Sequence, residues 1–561
     1  MTIVLNGTTG ITSPGGDTGA ADFTIHGLTV GLGGGAVSSN TTFGVGSLGN
    51  NTSGNQNTAI GWNSSPTMTT GAGNTSLGYA SLYLTSTGNS NTAIGVNALN
   101  NNSTASNNTA VGYQALYTSS TAGQNTAVGT GALYSTTTQN YLTAVGYYAG
   151  NANTTGGVCA FGHSALRNNT TGVANCAFGG YDGSTGVYGA LQTNTTGGYN
   201  VAMGVGALQA NTTASNNTAV GYQAGYANTT GTSNSFLGFQ AALNTTTGGS
   251  NTVIGYQALQ ANLTGSNNTV IGSQAGLNNN SGIGYNALFG QAAGVGITSG
   301  SENTLIGTQA GYNITTGVRN TCIGPSYSGV GASGYFITTG SKNSILGAYN
   351  GNQGGLDIRT ASNYIVLSDG DGNPRGVFDN NGCMGIGLTN MSSYIGNTGL
   401  VVSGGGNVSY FKQSASGGYT VQCDAQSNAG TYYFINFLKA GTGISNITSN
   451  GTTITYGTGS DYRLKENIKP MSSGLDKVMQ LKPSTWDWQS WFGEGSSQGF
   501  IAHELQSVIP EAVTGKKDDV DEDGNPRYQN VDTSFLVATL TAAIQELKAE
   551  VDSLKQQLAS K

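Results

Sequence analysis

The sequence predicts a mainly β fold: a β-solenoid of about 17-residue coils, a β-rich stalk, and a small α+β domain that ends in a coiled-coil helix. Three observations carry the prediction. A short phrase, Asn-Thr-Ala-Ile/Val-Gly, recurs at nearly constant spacing through much of the 561 residues. Charge is gathered at one end: residues 460–561 hold 11 of the 18 Lys and Arg and 16 of the 25 Asp and Glu. Near the C-terminus, apolar residues alternate at steps of three and four, the spacing of a helical seam.

Composition excludes several classes. Only 8% of residues are charged, against about 25% in an ordinary domain, so this is not a highly charged disordered chain. The 92 Gly do not fall at every third position and there are only 8 Pro, which excludes collagen. A net charge of −7 without a basic stripe gives no reason to expect nucleic acid. No run of about 18 apolar residues suggests a membrane helix. The opening Met1-Thr-Ile-Val-Leu-Asn-Gly-Thr lacks the basic head and apolar core of a secretory signal, so folding in a cytoplasm is expected.

Residues 1–40 lack the phrase and are read as an N-terminal cap. The rod is assigned to residues 41–350. Its phrase stands as Asn91-Thr-Ala-Ile-Gly95, Asn108-Thr-Ala-Val-Gly112, Asn125-Thr-Ala-Val-Gly129, Asn217-Thr-Ala-Val-Gly221 and Asn251-Thr-Val-Ile-Gly255. The glycine steps by 17 from Gly44 through Gly61, Gly78, Gly95, Gly112 and Gly129 to Gly146, by 16 to Gly162 and by 17 to Gly179. A 25-residue step leads to Gly204, and steps of 17 resume through Gly221, Gly238, Gly255 and Gly272. Later glycines are placed less regularly, at Gly284, Gly307, Gly324 and Gly347.

A period this short cannot hold a helical pair, so each unit is one coil of a β-solenoid. Ala and Ile/Val mark a short strand whose inward side chains stack on the next coil, about 4.8 Å away. The glycine allows a bend or close backbone approach. Asn-Asn-Thr and Thr-Thr-Gly runs supply turns, because Asn tolerates left-handed φ and its amide bonds local backbone. Ala and Gly bury little area, so the coil gains from assembly with other copies.

Cys159 and Cys176, each three residues before a repeat glycine, should stand one above the other as small residues of a column; a disulfide is not expected in a cytoplasm. Cys322 takes the alanine position, Cys383 and Cys423 lie further on, and no metal-ligand spacing of Cys or His occurs. The solitary His26 and His163 receive no role. Between 41 and 350 the only acids are Asp182 and Glu302, some seven coils or roughly 30 Å apart. Glycoside hydrolysis wants two carboxylates about 5–9.5 Å apart, so the rod is not read as a depolymerase. Tyr113, Tyr222 and Tyr256 suit either sugar binding or simple cover of the coil edge.

Residues 351–459 change texture and are read as a β-stalk or connector. Asn363–Pro374 reads as a strand and turn, Val377–Gly387 as its hairpin partner, and Tyr432–Leu438 and Thr452–Tyr456 as further strands. The Asp/Gly cluster at Asp369–Asn373 lacks the downstream bidentate Glu of a calcium loop and is read as a turn.

Residues 460–561 form the third object. Ser460-Asp-Tyr-Arg-Leu-Lys-Glu-Asn-Ile468 is followed by Trp486-Asp-Trp488, Gly499-Phe-Ile-Ala-His-Glu-Leu-Gln506 and Ile509-Pro-Glu-Ala-Val513. Trp486, Trp488 and Trp491 are expected in the core, and Asp519–Gly524 as an exposed hairpin turn. Asp532 is a candidate N-cap. Val537, Leu540, Ile544, Leu547, Val551, Leu554 and Leu558 make three heptads of a coiled coil over residues 533–559. Three heptads are marginal alone, so the helix is expected beside partner chains.

Two resemblances extend this reading. The rod phrase resembles the head repeats of trimeric autotransporter adhesins, which implies a trimeric, left-handed β-roll. An export signal and membrane barrel of that family are not read here. The four ordered motifs of residues 460–561 resemble the C-terminal intramolecular chaperone of phage endosialidases and other tailspikes and tail fibres. That resemblance implies a homotrimer whose C-terminal domain directs assembly and then cuts itself off at Gly459–Ser460. It makes Ser460 the nucleophile, Lys465 its base and His503 a further cleavage residue, with Asp461 orienting the site. A serine hydroxyl needs such a base, and an amine serves once burial favours its neutral form. It also implies a virion tail fibre assembled in the host cytoplasm. Its partners would be phage tail or baseplate proteins, reached through residues 1–40, and a host-surface polysaccharide or protein receptor, without nucleic acid, membrane insertion, metal or cofactor. The alternatives are a bacterial or prophage-encoded surface adhesin and a polysaccharide-depolymerising tailspike.

Overall fold

The computed structural model describes residues 28–154, 156–183, 186–280, 284–327, 331–382, 384–386, 453–458, 460–489, 495–521, 524 and 526–561, together with short strands at 5–6, 10–11, 23–25, 400–402, 432–439 and 442–449. His26, Cys383, Cys423, Gly459 and Trp491 lie outside the described residues. Two compact units are present, Met1–Tyr410 and Phe411–Lys561.

The first unit is a β-solenoid of about 19 coils, one short strand per coil from Thr41–Phe43 to Ile365–Ser368. Neighbouring strands pair in parallel and in identical register: Thr126, Ala127 and Val128 face Thr143, Ala144 and Val145 on one side and Thr109, Ala110 and Val111 on the other. At about 4.8 Å per coil the stack is roughly 85 Å long. No pairing joins its first strand to its last among the described residues, so it is an open ladder. At the N-terminal edge the strand Leu28–Gly31 pairs antiparallel with Thr41–Phe43, covering an edge that would otherwise template further pairing. At the other edge Pro374–Phe378 pairs antiparallel with Ile365–Ser368, and Met384–Ile386 with Pro374–Phe378.

Each strand turns its middle residue inward. Ala93, Ala110, Ala127 and Ala144 are buried, whereas the Thr and Ile/Val on either side face outward and are only half-buried. A second inward column lies four residues after the repeat glycine, in a left-handed turn: Leu116 at φ 52° and Leu133 at φ 51° are both buried. Further along the two columns trade volume. Leu288 and Leu305 replace the strand alanine, and Gly294 and Gly311 replace the turn leucine. A Cβ on Gly311 would stand 2.7 Å from a Leu305 methyl, so the strand leucine already occupies the space of the turn side chain. Total volume is held while its source changes, the exchange that packed cores tolerate best.

The asparagine of the phrase has a different role from the turn role expected for it. Asn217 and its equivalents are buried. The Asn217 Oδ1 accepts from the Asn234 backbone N–H at 2.9 Å, and its Nδ2 donates to the Gly231 carbonyl at 2.9 Å. The same pair of bonds recurs at Asn234, Asn251 and Asn303. Unpaired buried amides are costly, and this ladder satisfies them coil by coil. The preceding asparagine takes the turn, with φ 62° at Asn107 and Asn216. Leu142 and Val158, paired in adjacent coils, interrupt the asparagine column with an apolar patch.

After Gly272 the repeat glycine is Gly290, not Gly284. Ala287–Phe289 is the strand in register with Thr269–Ile271, and Asn286 continues the ladder, its N–H donating to Asn268 Oδ1 at 3.1 Å. Asn286-Ala-Leu-Phe-Gly290 is the phrase with larger apolar letters, which hid it. Cys159 and Cys176 are register partners as expected and are both free thiols. Burial first, and then the neighbouring Cys176, pushes the Cys159 thiol up to about 11. Burial pushes Cys322 up to about 12. Asp369 holds a turn: its Oδ1 accepts from the Asn373 N–H at 2.8 Å, and Oδ2 pairs with Arg375.

In the second unit, Tyr432–Lys439, Thr442–Ser449 and Ile454–Thr458 form a three-stranded antiparallel sheet. The small domain that follows has helices α1 (Gly474–Gln480), α2 (Ala502–Gln506) and α3 (Ser534–Ala559). Its core is Leu505, Ile509, Ala512, Val513 and Leu536, with Leu481 and Phe500 packed against it. The tryptophans expected there are elsewhere: Trp486 and Trp488 sit edge to face at 5.8 Å on the hairpin Ser484–Asp487/Ser496–Gly499. Trp488 is 40% exposed and donates from Nε1 to Ser497 Oγ at 2.9 Å. An indole whose N–H needs a partner is served better there than in a small apolar core. Asp519–Val520 and Pro526–Arg527 form the expected hairpin.

Helix α3 has two working faces. Leu536, Thr539, Ala542 and Ala543 are buried on its own domain, where Gly474 lies so close that a Cβ would meet the Ala543 nitrogen at 2.5 Å. Glu546 reaches across to the start of α1, accepting from the Gly474 and Leu475 N–H groups at 3.0 and 2.7 Å. Those backbone donors hold its carboxyl below the usual range. Asp532 accepts from the Ser534 N–H at 2.9 Å, although Thr533 is the residue at the cap position itself. The heptad residues all point away: Val537, Leu540, Ile544, Leu547, Val551, Leu554 and Leu558 are exposed.

Candidate functional site

The site predicted at the start of the charged segment is built on one turn. Asp461 opens the short 3-10 turn Tyr462–Leu464, its Oδ1 accepting from the Arg463 N–H at 2.9 Å. The Arg463 guanidinium closes on the same carboxylate in a two-pronged pair at 2.9 and 2.8 Å, and that contact holds the Asp461 carboxyl below its usual range. This tight turn reverses the chain between Ser460 and Lys465. The Lys465 Nζ then donates to Ser460 Oγ at 2.6 Å.

Structure thus brings Ser460 and Lys465 together and gives Asp461 a different partner. Asp461 orders the turn through Arg463; among the described residues it makes no hydrogen bond to Ser460 or Lys465. Arg463 is the member of this turn that sequence reasoning passed over, although its spacing of two from an acid in a turn was the available signal. His503 sits on α2 and is exposed, lining a surface recess of ≈ 300 Å³ with Lys516, Lys517, Asp518, Asp519, Pro526, Arg527, Tyr528 and Gln529. No hydrogen bond joins it to Ser460 or Lys465 among the described residues. Ser460 and Lys465 are exposed in the single chain, so the burial invoked to make the lysine a base is not supplied by the chain's own described residues. Among those residues no group of three or more His, Cys, Asp or Glu stands close enough to hold a metal ion, and no helix is long and apolar enough to cross a membrane.

In its chemistry the turn presents an amine in hydrogen-bonding contact with a hydroxyl, on the residue that follows Gly459. That is the arrangement for activating an oxygen nucleophile. Residues 460–514 match the family model Peptidase_S74, chaperone of endosialidase. The C-terminal part of the chain therefore carries an endosialidase-type chaperone domain of the peptidase kind. Long tail fiber protein Gp37 of Enterobacteria phage K3 is 35% identical over 102 residues, 18% of this chain and 8% of that protein. The Gp37 of Salmonella phage S16 is 30% identical over 138 residues, 22% of this chain and 17% of that protein. The Gp37 of Enterobacteria phage M1 is 36% identical over 107 residues, 18% of this chain and 41% of that protein. The similarity thus spans less than half of each of these relatives. No solved structure gives a significant match to the chain.

Proposed function

We propose that this chain is the subunit of a homotrimeric phage tail fibre that contacts the host surface, and that its C-terminal domain directs trimerisation and then releases itself at Gly459–Ser460. The 2.6 Å contact between Lys465 Nζ and Ser460 Oγ, inside the segment that matches the chaperone family, carries the proposal. Its domain plan is a cap at 1–40 for attachment to tail proteins, the rod, a stalk to 459, and the chaperone domain beyond. The exposed heptad face of α3 supports the assembly step, since seven apolar residues left in water favour burial against copies of the same helix.

Assembly and cleavage are coupled in this reading. Partner chains packed over the turn would desolvate Lys465 and favour its neutral amine, so the cut follows trimerisation. The amine takes the Ser460 hydroxyl proton, and Oγ attacks the Gly459 carbonyl carbon. The Gly459–Ser460 C–N bond breaks as the proton passes to the leaving amine, leaving Gly459 as an ester on Oγ. Water hydrolyses that ester, giving a Gly459 carboxylate and a domain that begins with the free amine of Ser460. His503 is assigned to the same cleavage, and Asp461 to ordering the turn. Loss of the domain that set the register leaves the rod kinetically trapped, which suits a solenoid whose non-local pairing forms slowly.

Intact mass of the purified full chain, beside Ser460→Ala and Lys465→Met, tests the proposal. Wild type should lose its last 102 residues while both variants keep them. A full-length wild-type mass in assembled protein would overturn the cleavage, and a monomeric assembled state would overturn the fibre.

A further inference from the structure

One stretch of the rod differs from the rest in three ways at once. Between residues 41 and 300 the only charged side chains are Arg167 and Asp182, and the only histidine is His163. All three lie beside the one 25-residue step, from Gly179 to Gly204. A loop that interrupts the regular step of a repeat is where function accumulates.

The structure joins these residues into a continuous aromatic surface. The Tyr147 ring lies 4.9 Å from His163 and nearly parallel to it, and His163 lies 5.7 Å from Tyr181, which stacks on Tyr188 at 5.3 Å. Tyr148 packs against Tyr147 at 4.3 Å and carries the Arg167 guanidinium 4.9 Å above its ring. The loop closes through the Asp182 N–H, which donates to the Val187 carbonyl at 3.2 Å. Tyr222 donates from its hydroxyl to Asp182 Oδ2 at 3.3 Å, and Gln209 Oε1 accepts from the Tyr188 N–H at 3.1 Å. Tyr147, Tyr181 and Tyr188 remain 39–45% exposed, and His163 Nδ1 is buried with no hydrogen-bond partner. From Tyr147 to Tyr222 the surface crosses four coil steps, about 19 Å. It reaches Arg167, five residues past its repeat glycine, and so lies on the turn side of the coil rather than on the outward strand residues.

We infer that this surface is a saccharide-binding site. Exposed ring faces edged by hydrogen-bonding groups complement a sugar ring, which offers C–H bonds on its face and hydroxyls around its rim. The carboxylate and guanidinium add charge-assisted bonds for those hydroxyls, on a rod that is otherwise uncharged for 260 residues. The site binds without cutting, because Asp182 has no second carboxylate in reach for glycoside hydrolysis. This deepens the proposed host contact and rests on it for the source of the sugar, a cell-surface polysaccharide.

The test applies the full chain to an array of purified bacterial capsular and lipopolysaccharide polysaccharides, beside Tyr181→Ala, Tyr188→Ala and Asp182→Asn. Wild type should bind a subset, each tyrosine variant about tenfold more weakly, with Asp182→Asn also weakened. Unchanged hydrogen exchange in the neighbouring coils will show that each variant keeps its rod. No binding by wild type, or binding that both tyrosine variants retain, would overturn the site. Assembly and processing are read on the same samples by mass, so a fibre that trimerises and cuts but binds no sugar refutes this site alone. Sugar binding by a chain that neither trimerises nor cuts would refute the fibre reading instead.

Discussion

Replacing Gly112 by alanine should open the rod locally. Gly112 has φ +134°, and an added Cβ would stand 2.6 Å from both the carbonyl carbon and the oxygen of Gly129 in the next coil. Both atoms are backbone, so no side chain can move aside. The left-handed conformation alone costs an alanine about 1–3 kcal/mol. Forcing the coils apart also weakens the bonds that join them here, Gly129 N–H to Val111 O at 2.7 Å and Gly131 N–H to Tyr113 O at 2.9 Å. At about 1 kcal/mol each they raise the total to about 3–5 kcal/mol. Gly183→Ala is the matched control, since Gly183 has φ +77° and its Cβ would meet nothing within 4 Å. The difference of about 2 kcal/mol corresponds to about a 30-fold greater acceleration of local opening, which hydrogen exchange read by mass spectrometry measures on peptides around each substituted residue, each against wild type. Because each coil contacts only its neighbours, coils far from Gly112 should exchange as in wild type. Equal exchange in the two variants would refute the argument that the repeat glycine is selected by the backbone behind it.

Other expectations follow from the same geometry. Asn217→Ala removes two buried hydrogen bonds and strands the Asn234 N–H, at about 1–3 kcal/mol, while the Gly231 carbonyl keeps the Asn228 Nδ2 donor at 3.0 Å; faster exchange confined to these coils is expected, and wild-type exchange would argue that the ladder is dispensable. The raised thiols, about 11 at Cys159 and about 12 at Cys322, hold little thiolate at pH 8, so alkylation should be slow there and quicken only as pH approaches those values; rates matching a free cysteine at pH 8 would contradict their burial. Leu547→Asp places a charge in the exposed seam of α3, and sedimentation should find the chain shifted toward monomer and uncut, whereas an unchanged trimer would remove α3 from assembly.

The pairing of Ser460 with Lys465 was expected from the resemblance of their motif, and the contact it needs is local. Ser460 and Lys465 are five residues apart, and a single turn suffices to join them. Arg463 escaped notice because its role depends on the turn that Asp461 begins. The strand Thr442–Ser449 was missed for the reverse reason: its letters are mostly polar, and only pairing with Tyr432–Lys439 and Ile454–Thr458 makes it a strand. Trp486 and Trp488 were misplaced because size suggested a core, whereas the Trp488 N–H found its partner on an exposed hairpin.

By itself the sequence determined the coil, its period and the apolar stripe of α3. When letters repeat in register, each residue's neighbour is another copy of itself one period away, so spacing alone carries the contact. Tertiary structure decided what that rule leaves open. It turned the phrase asparagine inward to bond backbone one coil on and traded Leu116-type turns for Gly311-type turns where strands carry leucine. It also set Gly290 as the repeat glycine and brought Arg167, His163 and Asp182 to one surface across unequal steps. Those outcomes depend on which side chain fills a shared space or satisfies a buried polar group, and three-dimensional packing fixes that where spacing is irregular.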